Sequence, residues 1–334
     1  MDYQQAIILG IIEGLTEYIP VSSTGHLILG KSMMGLTGQA IDSYLIVIQG
    51  GAILAVLGLY RKRVSDMIRG LLGKHTVGLK LAINLIIAVL PAGVFGYFFD
   101  DMIEAALFKP IPVISALAVG GVIMLFAARI QRNAFHEEND NNSFINIEHL
   151  TWKHALIIGL LQCLAMWPGT SRSMVTIVGG MAVGMKPKHA AEFSFLLGLP
   201  TLGGAMIFKL WKDSEALSTL SVGPMIIGII VAFIAAALAI KWLVAYLSKH
   251  GLALFGWYRI VLAVVISVGM YTGYITFEGN NSSRTETGGE ITSSTCAPEI
   301  LEIDHCPALP VAIHETPLTI TGPTTDCQWP DFIS

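Results

Sequence analysis

An apolar part of the chain contains the polar stretch Glu13-Gly-Leu-Thr-Glu17-Tyr-Ile-Pro20-Val-Ser22-Ser23-Thr24-Gly25-His26. A second stretch, Trp167-Pro168-Gly169-Thr170-Ser171-Arg172-Ser173-Met-Val-Thr176, has the same setting. Ionisable side chains at membrane depth are costly and typically mark functional sites. Both stretches also carry Pro and Gly, which break a helix in a bilayer only where the freed backbone is buried in protein or lines a wet cavity. Together they indicate a membrane protein with a functional site rather than a passive helical bundle.

Composition predicts an all-α integral membrane protein. Apolar residues make up 53% of the 334 residues and charged residues only 13%. Six windows reach the ~20 apolar residues that a spanning helix needs. They are roughly 44–60, 82–99, 111–128, 189–208, 222–247 and 253–275. The net charge of −4 comes with no basic patch or stacking motif, so no nucleic acid partner is expected.

Two further apolar stretches, about 3–34 and 152–185, are each interrupted by one of the polar stretches. We interpret each as a re-entrant helical hairpin, which enters the membrane and leaves on the same side. Two ordinary spans with a polar kink are the alternative. The start of the chain lacks the cationic region and cleavage site of a removable signal peptide, so we expect the first hairpin to be retained.

The two hairpins are spaced like parts of an internal repeat. Gly-Ile-Ile-Glu13-Gly-Leu resembles Gly-Leu-Leu-Gln162-Cys-Leu, and Pro20-Val-Ser22-Ser23 resembles Pro168-Gly-Thr170-Ser171. Each half, about 1–130 and 150–275, reads as one re-entrant hairpin plus three transmembrane helices, and an odd number of crossings inverts the second half. Inverted repeats with broken helices place their binding site where the breaks meet. The two polar stretches are therefore expected to build one site.

Charge asymmetry predicts the orientation, because short loops rich in Lys and Arg stay in the cytoplasm. The segment 61–80 holds six Lys and Arg residues, and 129–153, 185–188 and 248–252 are also basic. These loops are expected inside, with the start of the chain and the residues after 275 outside. The charge pattern thus predicts a multi-pass membrane protein with these loops in the cytoplasm.

The chain divides into a membrane domain, 1–275, and a tail, 276–334. The tail is rich in Ser, Thr, Pro and Gly and carries Cys296, Cys306 and Cys327. With little apolar surface to offset chain entropy, the tail is predicted to be disordered and extracytoplasmic. Its three cysteines match no zinc pattern, and we assign it no function.

Glu13 and Glu17 are four residues apart, so a helix places both carboxylates on one face. Two carboxylates so close repel unless a proton or cation lies between them. Oxygen ligands of this kind suit Mg²⁺ or Ca²⁺, and Mg²⁺ commonly binds through one or two carboxylates plus substrate phosphate. The alternative is a hydrated helix face.

Hydroxyl groups follow Pro20 at Ser22, Ser23 and Thr24, with His26 one turn on. A Ser or Thr at this position is a good N-cap, and a helix N-terminus attracts phosphate. A hydroxyl beside an imidazole could form an activated nucleophile or a general acid. Capping alone and a satisfied buried histidine are the alternatives.

The second polar stretch repeats this arrangement and adds a permanent cation, Arg172. Arginine suits bidentate phosphate recognition and can stabilise charge on a transferring phosphoryl group. An arginine that merely snorkels would lie near a helix end, whereas this one lies between apolar runs. A cation, a helix N-terminus and paired carboxylates around one cavity together describe a phosphate site.

EGLTEYIPVSSTGH (13–26) and PGTSRSMVT (168–176) resemble the two signature motifs of the bacterial undecaprenyl-pyrophosphate phosphatases, the bacitracin-resistance family. The resemblance extends to Gln49 in VIQGGAILAV, Glu192 in AAEFSFLLGLP and Arg259 in WYRIVLA, and covers about 3–275. It implies hydrolysis of undecaprenyl diphosphate to the monophosphate carrier used in cell-wall synthesis, and thereby bacitracin resistance. It also implies divalent-cation dependence and an active site that opens to the outer face of the membrane.

Carried over by position, the resemblance assigns roles to residues of both motifs. Glu17 is the expected metal ligand or base, with Glu13 beside it; Ser23 is the candidate nucleophile or phosphate ligand, His26 the acid or base, and Arg172 the phosphate clamp. The expected supporting or lining residues are Ser22, Thr24, Ser171, Ser173 and Thr176. The expected partners are an isoprenyl diphosphate lipid and membrane lipids, with a homodimer left open.

Two other functions fit parts of the pattern. An inverted-repeat transporter or lipid-phosphate flippase would use the same architecture, but it does not need this set of reactive side chains. A type-2 phosphatidate phosphatase performs similar chemistry with two separated histidines. No suitably placed histidine follows Arg172 here, because His189 lies in a predicted cytoplasmic loop.

Overall fold

A computed structural model of the chain describes residues 1–107, 109–136 and 144–273. These residues fold almost entirely as α-helices, and the described part contains no β-strand beyond one isolated bridge between Ile145 and Met185. The helices are α1 Tyr3–Thr16, α2 Ser23–Met33, α3 Gln39–Leu59, α4 Arg61–Leu71, α5 Thr76–Leu107, α6 Pro110–His136, α7 Trp152–Gln162, α8 Arg172–Ala182, α9 Pro187–Lys212, α10 Ser214–Ser218, α11 Val222–Leu247 and α12 Ala253–Tyr271. The all-α prediction is confirmed. The tail 276–334 lies outside the described residues.

Six helices are long and apolar enough to cross a membrane. These spans are Gln39–Leu59, Thr76–Phe99, Pro110–Ile130, Pro187–Lys212, Val222–Leu247 and Ala253–Tyr271, and they coincide with the six predicted windows. Their outer faces expose large apolar side chains, among them Ile86, Phe126, Leu238 and Val264. Such faces suit lipid chains, so the class of integral membrane protein is confirmed.

Each polar stretch breaks a helix in two, as the sequence predicts. α1 and α2 have 14 and 11 residues, which corresponds to about 21 and 16 Å. Neither length covers a hydrocarbon core of ~30 Å. α1 packs against α2, and α7 packs against α8. The return of each hairpin to its own side of the membrane stays a prediction.

The two breaks have the same backbone conformation. Ser22 and Ser171 are the N-caps of α2 and α8, with φ of +74° and +72°. The Ser22 hydroxyl accepts from the Gly25 amide at 3.3 Å, and the Ser171 hydroxyl accepts from the Met174 amide at 3.3 Å. Both residues adopt a left-handed conformation that L-residues rarely take.

Helix order and packing also repeat between the halves. α1 packs on α11 while α7 packs on α5, and the pairs α3–α9 and α6–α12 join equivalent helices of the two halves. α4 and α10 follow α3 and α9 as short extra helices. This pattern supports an internal repeat, and its inversion relative to the membrane stays a prediction.

The largest core cluster surrounds the two breaks. It includes Tyr18 and Val21 from the first hairpin, Met174 and Ile177 from the second, and Phe195 from α9. Because these side chains are buried around the breaks, the polar stretches are held by close packing rather than exposed on loops.

Candidate active site

Glu17 joins the two polar stretches. It caps the C-terminus of α1, and its carboxylate is almost fully buried. Oε1 accepts from Nη2 of Arg172 at 2.8 Å, and Oε2 accepts from Oγ of Ser23 at 2.6 Å. The structure thus brings together residues 155 positions apart in sequence, as the single-site hypothesis requires.

The Arg172 side chain is held in place by the first polar stretch and by α9. It is the first residue of α8, and its Nη1 donates to the Ser194 carbonyl at 3.0 Å. Its guanidinium lies 5.5 Å from the Tyr18 ring centroid, within range of a cation–π contact. A Cβ added at Gly198 would lie 2.8 Å from Nη1, so any side chain there would displace the guanidinium. The cation is therefore fixed in position.

Glu13 lies one turn before Glu17 and is completely buried. Neither of its carboxylate oxygens has a hydrogen-bond donor. The charges that act on it are those of Glu17 and Arg172. Unpartnered carboxylate oxygens in an apolar interior are costly, and a divalent cation would satisfy them. The described residues include no group of three or more His, Cys, Asp or Glu side chains that could hold a metal by themselves.

The predicted lining hydroxyls have separate positions. Ser173 Oγ donates to the Ile19 carbonyl at 3.3 Å, so it links the second break to the first. Thr176 Oγ1 bonds Ser194 Oγ at 2.6 Å and donates to the Arg172 carbonyl. Ser22 and Ser171 cap helices, and Thr24 is exposed on α2.

His26 has different partners from those the sequence suggested. Its Nδ1 bonds the main-chain carbonyl of Ser22 at 2.7 Å, and its Nε2 bonds the Tyr258 hydroxyl at 2.7 Å. The imidazole therefore bonds no Ser22 or Ser23 hydroxyl, and both ring nitrogens have partners, which agrees with the alternative of a satisfied histidine. The Ser23 hydroxyl instead donates to Glu17, because the break at Pro20 folds α2 back beside the end of α1.

The buried side chain of Arg259 stabilises the second break. It is fully buried on α12 and donates to the carbonyls of Ala116, Leu117 and Gly169. It fixes the Gly169 loop that precedes Arg172. Glu192, by contrast, bonds Arg63 of α4 at 3.0 Å and takes no part in the described contacts of Glu17 or Arg172.

Sequence reasoning missed Tyr18, Ser194, Gly198 and Tyr258 as neighbours of the candidate residues. Tyr18 is within the quoted motif, and Ser194 and Gly198 are within AAEFSFLLGLP. Only their position in motifs that resemble the family could have indicated that they lie near the site. Apolar periodicity alone assigns them to the helix core.

The sequence profile of the family described as bacitracin resistance protein BacA matches residues 6–265. The chain belongs to this family. Among the similar proteins are Undecaprenyl-diphosphatase 2 of Rhodospirillum rubrum (42% identical over 82% of this chain and 97% of the relative) and Undecaprenyl-diphosphatase of Sorangium cellulosum (44% over 80% and 86%). A third, Undecaprenyl-diphosphatase of Ectopseudomonas mendocina, is 43% identical over 78% of this chain and 92% of the relative. These matches confirm the family resemblance of the two motifs.

The span that BacA proteins share with this chain contains every candidate site residue. Those residues lie on α1, α2 and α8, with Arg172 held by α9. The BacA match ends before the tail, so the tail lies outside the family's common region.

Proposed function

We propose that this chain is a membrane phosphatase that hydrolyses undecaprenyl diphosphate to undecaprenyl phosphate and inorganic phosphate. The relatives that carry this activity in their names match over most of its length. The observation that carries the proposal is Glu17, which is buried and holds a serine hydroxyl and an arginine at once. The product is the lipid carrier for cell-wall synthesis, and its recycling confers bacitracin resistance.

Arg172 binds the terminal phosphate in this proposal. In the structure its Nη2 is held by Glu17, and phosphate oxygens compete for the same donor. Ser23 and Arg172 are the first residues of α2 and α8, so the free amides at both helix N-termini add favourable electrostatics for an anion. Phosphoryl transfer needs mainly positioning and charge neutralisation, and this arrangement supplies both.

Glu17 acts as the base for Ser23. Its Oε2 lies 2.6 Å from the serine Oγ, within reach for proton transfer. Oγ attacks the terminal phosphorus, Glu17 takes the hydroxyl proton, and the bond to the bridging oxygen breaks. Undecaprenyl phosphate leaves, and water then hydrolyses the phosphoserine to inorganic phosphate and restores Ser23.

A divalent cation, Mg²⁺ or Ca²⁺, would be held by Glu13 and Glu17 together with the substrate phosphate. The unpartnered oxygens of Glu13 support this assignment. When bound, such an ion neutralises charge on the transferring phosphoryl group. Glu17 would contribute to holding the ion through the same carboxylate that accepts from Ser23.

The active site opens to the periplasmic, outer face of the cytoplasmic membrane in this proposal, as the basic segment 61–80 indicates. We expect Lys74→Cys to resist a membrane-impermeant maleimide in intact cells and Glu215→Cys to react, in a background without other cysteines. Both positions are exposed. Labelling of Lys74→Cys without labelling of Glu215→Cys would show the opposite orientation. A homodimer stays a prediction, which the mass of the detergent-solubilised protein tests.

The function is tested by phosphate release from undecaprenyl or farnesyl diphosphate in detergent, with Mg²⁺ or with EDTA. We expect release that needs the metal and falls at least a hundredfold in Glu17→Ala and in Arg172→Ala, in line with typical losses of about 10²–10³ for a charge-stabilising group. Glu215→Ala, at an exposed position of α10, is the matched control and should keep full activity. Absence of release from folded wild-type protein would favour the transporter or flippase instead.

A further inference from the structure

His26 and Tyr258 form a pair that the chemistry of Glu17, Ser23 and Arg172 does not use. Their rings are almost parallel, with an interplanar angle of 5° and centroids 5.7 Å apart. Nε2 of His26 lies 2.7 Å from the phenolic oxygen. The pair joins α2, which begins at Ser23, to α12.

The main-chain partner fixes which imidazole nitrogen carries the proton. A carbonyl oxygen only accepts, so Nδ1, at 2.7 Å from the Ser22 carbonyl, must be the donor. Neutral His26 then has its lone pair on Nε2 and accepts from the Tyr258 hydroxyl. When His26 takes up a proton, Nε2–H donates to the phenolic oxygen, and the Tyr258 hydroxyl proton becomes free for another acceptor.

The position of this pair relative to Ser23 indicates which substrate oxygen it can protonate. Ser23 and His26 are three residues apart and adjacent on one face of α2, yet Ser23 points to Glu17 and His26 points to α12. In an in-line displacement the attacking and leaving oxygens lie on opposite sides of the phosphorus. The Tyr258 side chain is 44% exposed, so its hydroxyl can be reached by a ligand.

We propose that Tyr258 is a further catalytic residue, which donates a proton to the leaving oxygen and is then reprotonated by His26. This inference rests on the proposed phosphatase function. As the bond between the terminal phosphorus and the bridging oxygen breaks, the phenolic proton passes to that oxygen. The Nε2 proton of His26 moves to the phenolate oxygen, the imidazole becomes neutral, and a proton from solvent restores it before the next cycle.

The charged groups around this pair are few. Burial, together with the charge of Arg259, the next residue on α12, lowers the pKa of His26, so the protonated imidazole that the relay uses forms mainly at the acidic end of the pH range. α1 packs beside α2 and contributes Glu13 and Glu17, the latter engaged with Ser23 and Arg172. α6 presents the apolar Leu117 against Gly25 of α2. No carboxylate among the described residues bonds His26, so Tyr258 is its only side-chain partner there.

Tyr258→Phe is the decisive variant, because it keeps the ring and removes only the hydroxyl. Initial rates on undecaprenyl diphosphate are measured from pH 5.5 to 9 for the wild type, Tyr258→Phe, His26→Gln and the double variant. General acid catalysis is worth roughly 10²–10⁴-fold, and we expect kcat to fall at least tenfold with KM within about twofold. Because the relay needs protonated His26, the wild-type rate should fall as pH rises from 5.5, and this fall should disappear in Tyr258→Phe. The double variant should be no slower than the slower of the two single variants.

Tyr271→Phe is the matched control, since it makes the same change at an exposed position of α12 and should leave rate and pH profile unchanged. A Tyr258→Phe enzyme with the wild-type rate and pH profile would overturn the relay, as would multiplicative losses in the double variant. Lack of release from the wild type in the same assay would instead reject the phosphatase function itself. Thermal unfolding of each variant distinguishes lost chemistry from lost folding.

Discussion

At the scale of single residues, the pair of Glu17 and Arg172 is better explained by function than by stability. Both side chains are largely buried, with 6% and 12% exposed. Replacing a buried ion pair by apolar residues is often neutral or stabilising, whereas removing one partner typically costs about 3–5 kcal/mol. Folding alone would therefore not require this pair. A site that must bind an anion beside a base does require both charges.

Gly198→Ala tests whether the position of the Arg172 guanidinium matters, and it replaces no reactive side chain. The new Cβ would lie 2.8 Å from Nη1, and the guanidinium at the end of its flexible side chain would move. We expect phosphate release to fall at least tenfold, since misplacement by ~1 Å can cost about 10²-fold, while thermal stability changes little. Gly203→Ala, on the same helix and facing open space, should keep full activity. Equal activity in both variants would show that the Arg172 position is not critical.

The sequence indicated candidate residues at this scale, but not their partners. Glu13, Glu17, Ser23 and Arg172 stood out because ionisable and hydroxyl groups in apolar surroundings are conspicuous. The contacts of Arg172 with Ser194 and of His26 with Tyr258 are tertiary, and helical spacing cannot predict contacts between distant helices. The Tyr258 partner of His26 could not be predicted for this reason.

At the scale of elements, the two hairpin breaks store strain at equivalent positions. Ser22 and Ser171 have φ near +73° with ψ of 93° and 113°, a conformation that costs of order 1–3 kcal/mol for a residue other than glycine. Strain of this kind persists where the surroundings enforce it. In both hairpins it aims the first residue of the following helix, Ser23 or Arg172, at Glu17.

Substitutions of Ser171 by Gly and by Ala are expected to shift stability in opposite directions. Glycine relieves the strain and loses only a few tenths of a kcal/mol of capping, so we expect a gain of about 1 kcal/mol. Alanine keeps the strain and loses the cap to Met174, so we expect a loss of about 1 kcal/mol. Denaturant unfolding in detergent measures both. A glycine variant that is less stable than the wild type would show that the serine conformation is unstrained.

The C-terminus of α9 carries an acid-sensitive contact. Hydrogen bonds from Lys209 and Ser43 hold the pKa of Asp213 below its ordinary value of 3.8. The ionised carboxylate therefore stabilises the fold above pH 4, and this contribution is lost as pH falls through the ordinary and then the lowered pKa. In thermal unfolding from pH 3 to 7 we expect Asp213→Asn to be less stable than the wild type near neutrality, with the difference shrinking toward pH 3. A constant difference would exclude linkage to this group.

Apolar windows predicted the six spans well, but they did not indicate the short helices α4 and α10. α4 lies within the basic segment 61–80, which charge asymmetry predicts to be cytoplasmic, and its helical structure was not predicted. α4 packs against α5, with Met67 buried and Ile68 exposed. Window hydropathy averages over such amphipathic pieces, so only tertiary packing defines them.

At the scale of the whole molecule, equivalent glycines mark the repeat. Gly10 of α1 and Gly159 of α7 are 149 residues apart, the offset that relates Glu13 to Gln162. A Cβ at Gly10 would lie 2.6 Å from the Gly228 carbonyl oxygen of α11, and a Cβ at Gly159 would lie 2.6 Å from the Ala88 carbonyl oxygen of α5. The short resemblance in sequence therefore corresponds to the same close helix packing in both halves. The reactive side chains are not symmetric, because the counterpart of the carboxylate Glu13 is the amide Gln162.

Gly10→Ala and Gly159→Ala should destabilise the protein by similar amounts if the two halves are structurally equivalent. In each case the added methyl meets a backbone oxygen that cannot move aside, and overpacking of this kind costs typically ~1–3 kcal/mol. Small residues at such positions let membrane helices approach closely, so the loss should appear as a lower unfolding temperature in detergent. Gly58→Ala on α3, where a Cβ meets open space, is the matched control and should be neutral or slightly stabilising, since alanine is the better helix former. Destabilisation by one substitution and tolerance of the other would mean that α1 and α7 are held by different contacts, and the repeat would then be one of sequence pattern alone.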